Sequence, residues 1–111
     1  MVFFESQRLY DIGELFEKEV PEGYYEIPFG LPAQRRTGKD VTMVTIGATL
    51  YRAIEAADTL EKQHGLTADI FDCRTINPLD YAPIVESVKK TGRVVIAGDA
   101  SERGSVMQTI A

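Results

Sequence analysis

The sequence is poor in the residues that most often carry chemistry. Among its 111 residues there is one cysteine, Cys73, one histidine, His64, and no tryptophan. A single cysteine excludes an intrachain disulfide and a thiolate metal cluster, and it suits a reducing cytoplasm. Any Ser/His/Asp triad or histidine metal site would have to recruit His64. Positive charge is scarce too. Lys and Arg number 12 against 17 Asp and Glu, a net of −5. That excludes a nucleic-acid partner, because phosphate contacts need clustered Lys and Arg. Apolar runs stop at four residues, as in Val94 to Ala97, against the roughly 20 that a membrane span needs. The opening MVFFESQR has neither the basic start nor the apolar stretch of a signal peptide. What is present, 44% hydrophobic residues, suffices for one core in a chain of one-domain length.

The chain reads as irregular from residue 1 to about residue 40. Val2 to Glu5, VFFE, is a short β-prone run, and Gly13, Pro21, Gly23, Pro28 and Gly30 follow with Tyr10, Phe16, Tyr24 and Tyr25 between them. Glycine and proline at this density break regular elements, while the aromatics argue for an extended linker docked on a surface. Glu14 to Val20 has room for one or two helical turns.

From Val41 the pattern becomes regular, after one earlier candidate element. Leu31 to Arg36 is a candidate first strand, closed by a turn at Thr37-Gly38-Lys39-Asp40. Val41 to Ile46, VTMVTI, has the β-branched, apolar character of a strand buried on both faces. Leu50, Ala53, Ile54, Ala57 and Leu60 then form one helical stripe, and Gly65 suits the left-handed residue after it. Ala68 to Asp72 is the next strand. Pro78-Leu79-Asp80 is expected to open a second helix, with Asp80 as N-cap, an inner stripe of Tyr81, Ile84, Val85 and Val88, and Gly92 at its end. Arg93 to Ala97 is expected as a third buried strand, Gly98 to Gly104 as a loop, and Ser105 onward as a helix. Strands alternating with helices predict an α/β fold: a three-layer sandwich with a small, mostly parallel sheet and an added edge strand, truncated at its C-terminus.

Ligands of open α/β sheets bind at the carboxyl ends of the strands. Here those ends are Gly47-Ala48-Thr49, Cys73 to Asn77 and Gly98 to Gly104. Thr49 and Arg52 stand where GxGxxG needs glycines, and G-D-A-S-E-R-G lacks the Lys-Ser/Thr of a P-loop. Asp72, Asp99 and Glu102 could be arranged as acid and base, but a solvated loop plus a strand-end carboxylate accounts for them. Arg74, at a strand's carboxyl end, is expected to pair with Asp72 or Asp80 and fix the turn. Cys73 reads as a small packed residue, and His64 as a solvated residue at a helix C-terminus. The structural or interface candidates are therefore Arg74, Asp72, Asp80, Asp99, Glu102 and Arg103, with no catalytic, cofactor-binding or metal residue among them.

The stretch Asp72-Cys73-Arg74-Thr75-Ile76-Asn77-Pro78-Leu79-Asp80 closely resembles the D-L-R-T-x-x-P-x-D segment of the beta subunits of thiamine diphosphate-dependent 2-oxo acid dehydrogenases, with Cys73 in place of the usual leucine. Val2-Phe3-Phe4-Glu5 with Leu9-Tyr10, Val20-Pro21-Glu22, Tyr25-Glu26-Ile27-Pro28, Gly38-Lys39-Asp40-Val41-Thr42 and Ser87 to Arg93 resemble further family segments, in order and at matching spacing. The resemblance implies that residues 1–30 are the end of a pyrimidine-binding domain plus the interdomain linker, and that residues 31–111 are a transketolase C-terminal-like domain. It implies an oxidoreductase that decarboxylates branched-chain 2-oxo acids or pyruvate and acylates a lipoyl domain in a cytoplasmic multienzyme complex. Thiamine diphosphate and Mg would belong to the full enzyme, with none bound by this part, and the activating glutamate would lie upstream. The implied partners are an alpha subunit or fused alpha region, a second beta subunit and the acyltransferase core. Transketolase and deoxyxylulose phosphate synthase share the domain, but the VFFE…LY opening favours the dehydrogenases. The family often has an acidic, glycine-rich run after the third strand, where this chain has Ala97 to Gly104. A stand-alone module resembling flavodoxin or a response-regulator receiver is the alternative. It is disfavoured because Gly47-Ala48-Thr49 offers neither an acidic cluster nor a Ser/Thr-rich phosphate loop.

Overall fold

The computed structural model describes residues 2–10, 21–101 and 103–111. Four strands and three α-helices alternate along it: β1 (Ala33–Arg36), β2 (Val41–Thr45), α1 (Thr49–His64), β3 (Ala68–Asp72), α2 (Ala82–Thr91), β4 (Val94–Ala97) and α3 (Val106–Ile110). The sheet order is β1-β3-β2-β4. β3, β2 and β4 are parallel, and β1 adds to β3 as an antiparallel edge. The expected three parallel strands and the added edge strand are all present.

The pleat sorts side chains to two faces. Val41, Met43, Ala68 and Ile70 meet Leu50, Ala53, Ile54 and Ala57 of α1. Val44, Ile46, Phe71 and Cys73 meet Ile84 and Val88 of α2, with Ile96 of β4 and Ile110 of α3 packed alongside. Helices thus cover both faces of the sheet, as its continuous apolar strands require. Gly65 and Gly92 end α1 and α2 with φ of 67° and 69°, the left-handed region glycine enters at little cost.

One strand residue breaks the apolar pattern. Asp69, the second residue of β3, is fully buried. Its Oδ1 accepts from the Gly38 amide at 2.7 Å and from Gln34 Nε2 at 3.1 Å. Its Oδ2 accepts from the Ser87 hydroxyl and pairs with the Lys90 ammonium. Ser87 continues through Thr42 to Thr91, a buried line of hydroxyls that ends on the Arg93 carbonyl. The turn that presents Gly38 lies flat on β3, since a Cβ there would stand 2.3 Å from the Ala68 nitrogen. Only glycine fits.

Three expectations need correction. β4 is an edge and not a buried strand: Val94 and Val95 are 46% and 50% exposed. Val95 lies beside Met43 on the α1 face, but α1 packs over β2 and β3 and does not reach across to cover it. α2 starts at Ala82 rather than at Pro78 to Asp80. The Asp80 amide is committed to the Gly30 carbonyl at 2.8 Å, and the Asp80 carboxylate reaches forward to the Ala82 amide at 2.9 Å. The inner stripe of α2 keeps the expected Ile84 and Val88 but adds Ser87 and Thr91, while Tyr81 and Val85 are exposed, because Ser87 and Thr91 turn inward to complete the Asp69 network. Val2, Phe3 and Phe4 are exposed, and no strand forms there. Glu14 to Val20 lies outside the described residues.

Asp69→Asn should lower stability by about 1–3 kcal/mol, the range for hydrogen bonds to a charged group. Burial would by itself raise this carboxyl, but Lys90, Ser87 and the Gly38 amide outweigh it and hold it below the ordinary range. A depressed native value contributes fully above the unfolded pKa of about 4 and is lost as pH falls through the native value. In urea unfolding at neutral pH and near pH 3, the parent should therefore lose more stability on acidification than Asp69→Asn does. Equal losses would remove Asp69 from this role.

Candidate functional site

The carboxyl ends of the parallel strands are built from three segments. After β2 the backbone turns at Gly47, φ 60°, and Thr49 opens α1. Its Oγ1 lies 2.7 Å from the Ile46 carbonyl and 3.0 Å from the Ala97 carbonyl. The one hydroxyl there ties the ends of β2 and β4 together.

After β3 come Asp72, Cys73 and Arg74. Asp72 is met by Arg35 of β1, through Nη2 at 3.1 Å and Nε at 3.3 Å. The register shift between Gln34 and Arg36 brings two successive arginines to carboxylates: Arg35 to Asp72, and Arg36 to Asp58 and Glu61 of α1. Arg74 makes neither expected pair. Its Nη2 donates to the Leu31 carbonyl at 3.4 Å, because Asp72 points to β1 and Asp80 caps Ala82. Cys73 is buried against Phe71, Val44 and Ile84. Burial first, and the Asp72 charge second, push its thiol up to about 11, so the nucleophilic thiolate is disfavoured. His64 closes α1 just before β3 begins, at the sheet edge opposite Cys73.

After β4, Asp99 and Arg103 are exposed on the loop. Glu102, the third member of the Asp72, Asp99 and Glu102 set, lies outside the described residues. Among the described residues no three His, Cys, Asp or Glu side chains converge on a position that could hold a metal ion. The site therefore ties strand ends, a turn and the preceding chain to one another, and no described group is placed as a nucleophile beside a base. Arg35, Asp69 and Thr75, which receives the Gly30 amide at 3.0 Å, were not among the candidates. The available signal was an acidic residue inside the apolar run ADIFD.

The family model for the transketolase C-terminal domain matches residues 32–111. The beta subunit of acetoin:2,6-dichlorophenolindophenol oxidoreductase from Cupriavidus necator is 46% identical over 99% of this chain and 31% of its own length. The beta subunit of 2-oxoisovalerate dehydrogenase from Bacillus subtilis is 38% identical over 100% of this chain and 33% of its own. The same organism's pyruvate dehydrogenase E1 component subunit beta is 37% identical over 99% and 33%. A solved structure described as a split gene transketolase, inactive beta4 tetramer, superposes with a TM-score of 0.73 at 31% identity, covering 89% of this chain and 32% of that one. The chain spans about a third of the length of the curated relatives it matches.

Two outcomes test this geometry. A disulfide reagent at pH 8 should leave Cys73 essentially unmodified in the folded chain and label it fully in urea, and rapid labelling without denaturant would contradict its burial. Arg35→Lys should cost about 1 kcal/mol through loss of the two-nitrogen contact, whereas Arg74→Lys should shift the urea midpoint less. The reverse order would return Arg74 to the turn.

Proposed function

The chain belongs to the transketolase C-terminal domain family, and from that premise we propose that it is the C-terminal assembly and docking domain of the beta subunit of a thiamine diphosphate-dependent 2-oxo acid dehydrogenase. The reading rests on one observation: similarity to such beta subunits runs from end to end of this chain. In this reading residues 1–30 are the end of a pyrimidine-binding domain and the linker, and residues 31–111 are the domain itself. Arg74, Asp99, Glu102 and Arg103 are its interface candidates. The partners are an alpha subunit or fused alpha region, a second beta subunit and the acyltransferase core of a cytoplasmic complex. The substrates are branched-chain 2-oxo acids or pyruvate. Acetoin is a second reading, favoured by the 46% identity to the acetoin enzyme's subunit.

Thiamine diphosphate with Mg serves the full enzyme. In this reading the chain contributes no ligand to that cofactor: a diphosphate needs Mg on oxygen ligands or a helix N-terminus with free amides, and at the start of α1 the Leu50 and Tyr51 amides donate to the Gly47 and Ala48 carbonyls. No step on the cofactor is therefore assigned to this chain.

Calorimetric titration of the 111-residue chain with thiamine diphosphate and Mg should show no binding in the micromolar range. The complete beta subunit, combined with its alpha subunit and the same cofactors, should reduce dichlorophenolindophenol in the presence of a branched-chain 2-oxo acid, pyruvate or acetoin. Micromolar binding by the chain alone, or an inactive reconstituted pair, would overturn the reading.

A further inference from the structure

The segment that carries the family resemblance, Asp72 to Asp80, is not explained by chemistry at the strand ends. Its side chains and backbone converge instead on the chain that precedes the domain. Residues 21–29 are exposed throughout, and burial begins abruptly at Gly30. The Gly30 amide donates to Thr75 Oγ1 at 3.0 Å, and the Gly30 carbonyl accepts the Asp80 amide at 2.8 Å. The next carbonyl, of Leu31, accepts Arg74 Nη2. Gly30 has a φ of 84°, and a Cβ on it would meet the Pro78 carbonyl at 3.4 Å and the Pro78 ring at 3.6 Å. Both backbone groups of one residue are thus held by one loop, at a position whose left-handed conformation favours glycine.

We infer that the Cys73–Asp80 loop is a clasp for the incoming chain and that Gly30 is the fixed point of the linker. Residues from Gly30 onward move with the sheet, and residues 21–29, with Tyr24, Ile27 and Phe29 exposed, reorient about it. Thr75 is the positioning residue, because its hydroxyl is the acceptor that immobilises the Gly30 amide. Arg74 reinforces the next peptide, and Asp80 closes the other side. The clasp deepens the linker reading above and takes its biological meaning from it: the direction in which a preceding domain leaves this one is set at a single peptide.

Amide hydrogen exchange on the 111-residue chain tests the clasp separately from the reconstituted activity that tests the function. In the parent, the Gly30 and Asp80 amides should be protected relative to those of Tyr24 and Tyr25. Thr75→Val, similar in shape but lacking the acceptor, should speed Gly30 exchange by roughly fivefold to tenfold and leave Val44 and Ile70 unchanged. Thr75→Ser should restore protection. The inference is overturned if Gly30 exchanges as fast as Tyr24 in the parent or if Thr75→Val leaves Gly30 unchanged. It is also overturned if that variant speeds Val44 and Ile70 equally, since Thr75 would then support the core and not the linker.

Discussion

A single buried carboxylate organises this domain. From β3, Asp69 joins three other pieces of chain: Gln34 in β1, Gly38 in the turn before β2, and Ser87 and Lys90 in α2. Removing a charge from water is costly unless its lone pairs are filled, and here both oxygens are filled. Among the described residues no buried side-chain polar atom is left without a partner. The network therefore selects an arrangement as well as stabilising one. α2 must present Ser87 and Thr91 inward, the turn must carry glycine at position 38, and β1 must lie antiparallel on β3.

The same economy explains why the carboxyl edge of the sheet is quiet. The groups that would be reactive in a catalytic domain are committed to structure: Thr49 to two strand ends, Asp72 to Arg35, Asp80 to the start of α2, Cys73 to the core. What the domain leaves unsatisfied lies elsewhere, on the half-exposed apolar residues of β4 and along the aromatic linker. Exposed apolar surface of this kind marks association, in line with the proposed assembly role.

Much of this fold could be read from residues. VTMVTI and ADIFD are apolar on both faces, so they had to be central, and the Leu50 to Leu60 stripe with Gly65 defined α1. RVVIA has the same composition as a central strand yet is an edge, because composition records how a strand could be buried and not how many neighbours it has. Tyr81 and Val85 matched helical spacing as well as Ser87 and Thr91 did, and the choice between them was made by Asp69, a partner 18 residues from Ser87. Arg74 was placed at the correct strand end, but its bond to the Leu31 carbonyl joins residues 43 apart. Pairings of that range leave no local signal. The side chain of Glu102, a candidate on the Gly98 to Gly104 loop, lies outside the described residues.

The central claim is that this chain assembles a larger enzyme without supplying its chemistry. The most direct measurement is sedimentation of the complete beta subunit with its alpha subunit, compared with a beta subunit lacking residues 31–111. The account predicts that the intact pair sediments as a multisubunit particle and that the shortened subunit leaves alpha unassembled. A shortened subunit that forms a particle of the same stoichiometry and turns over at the intact rate would contradict it.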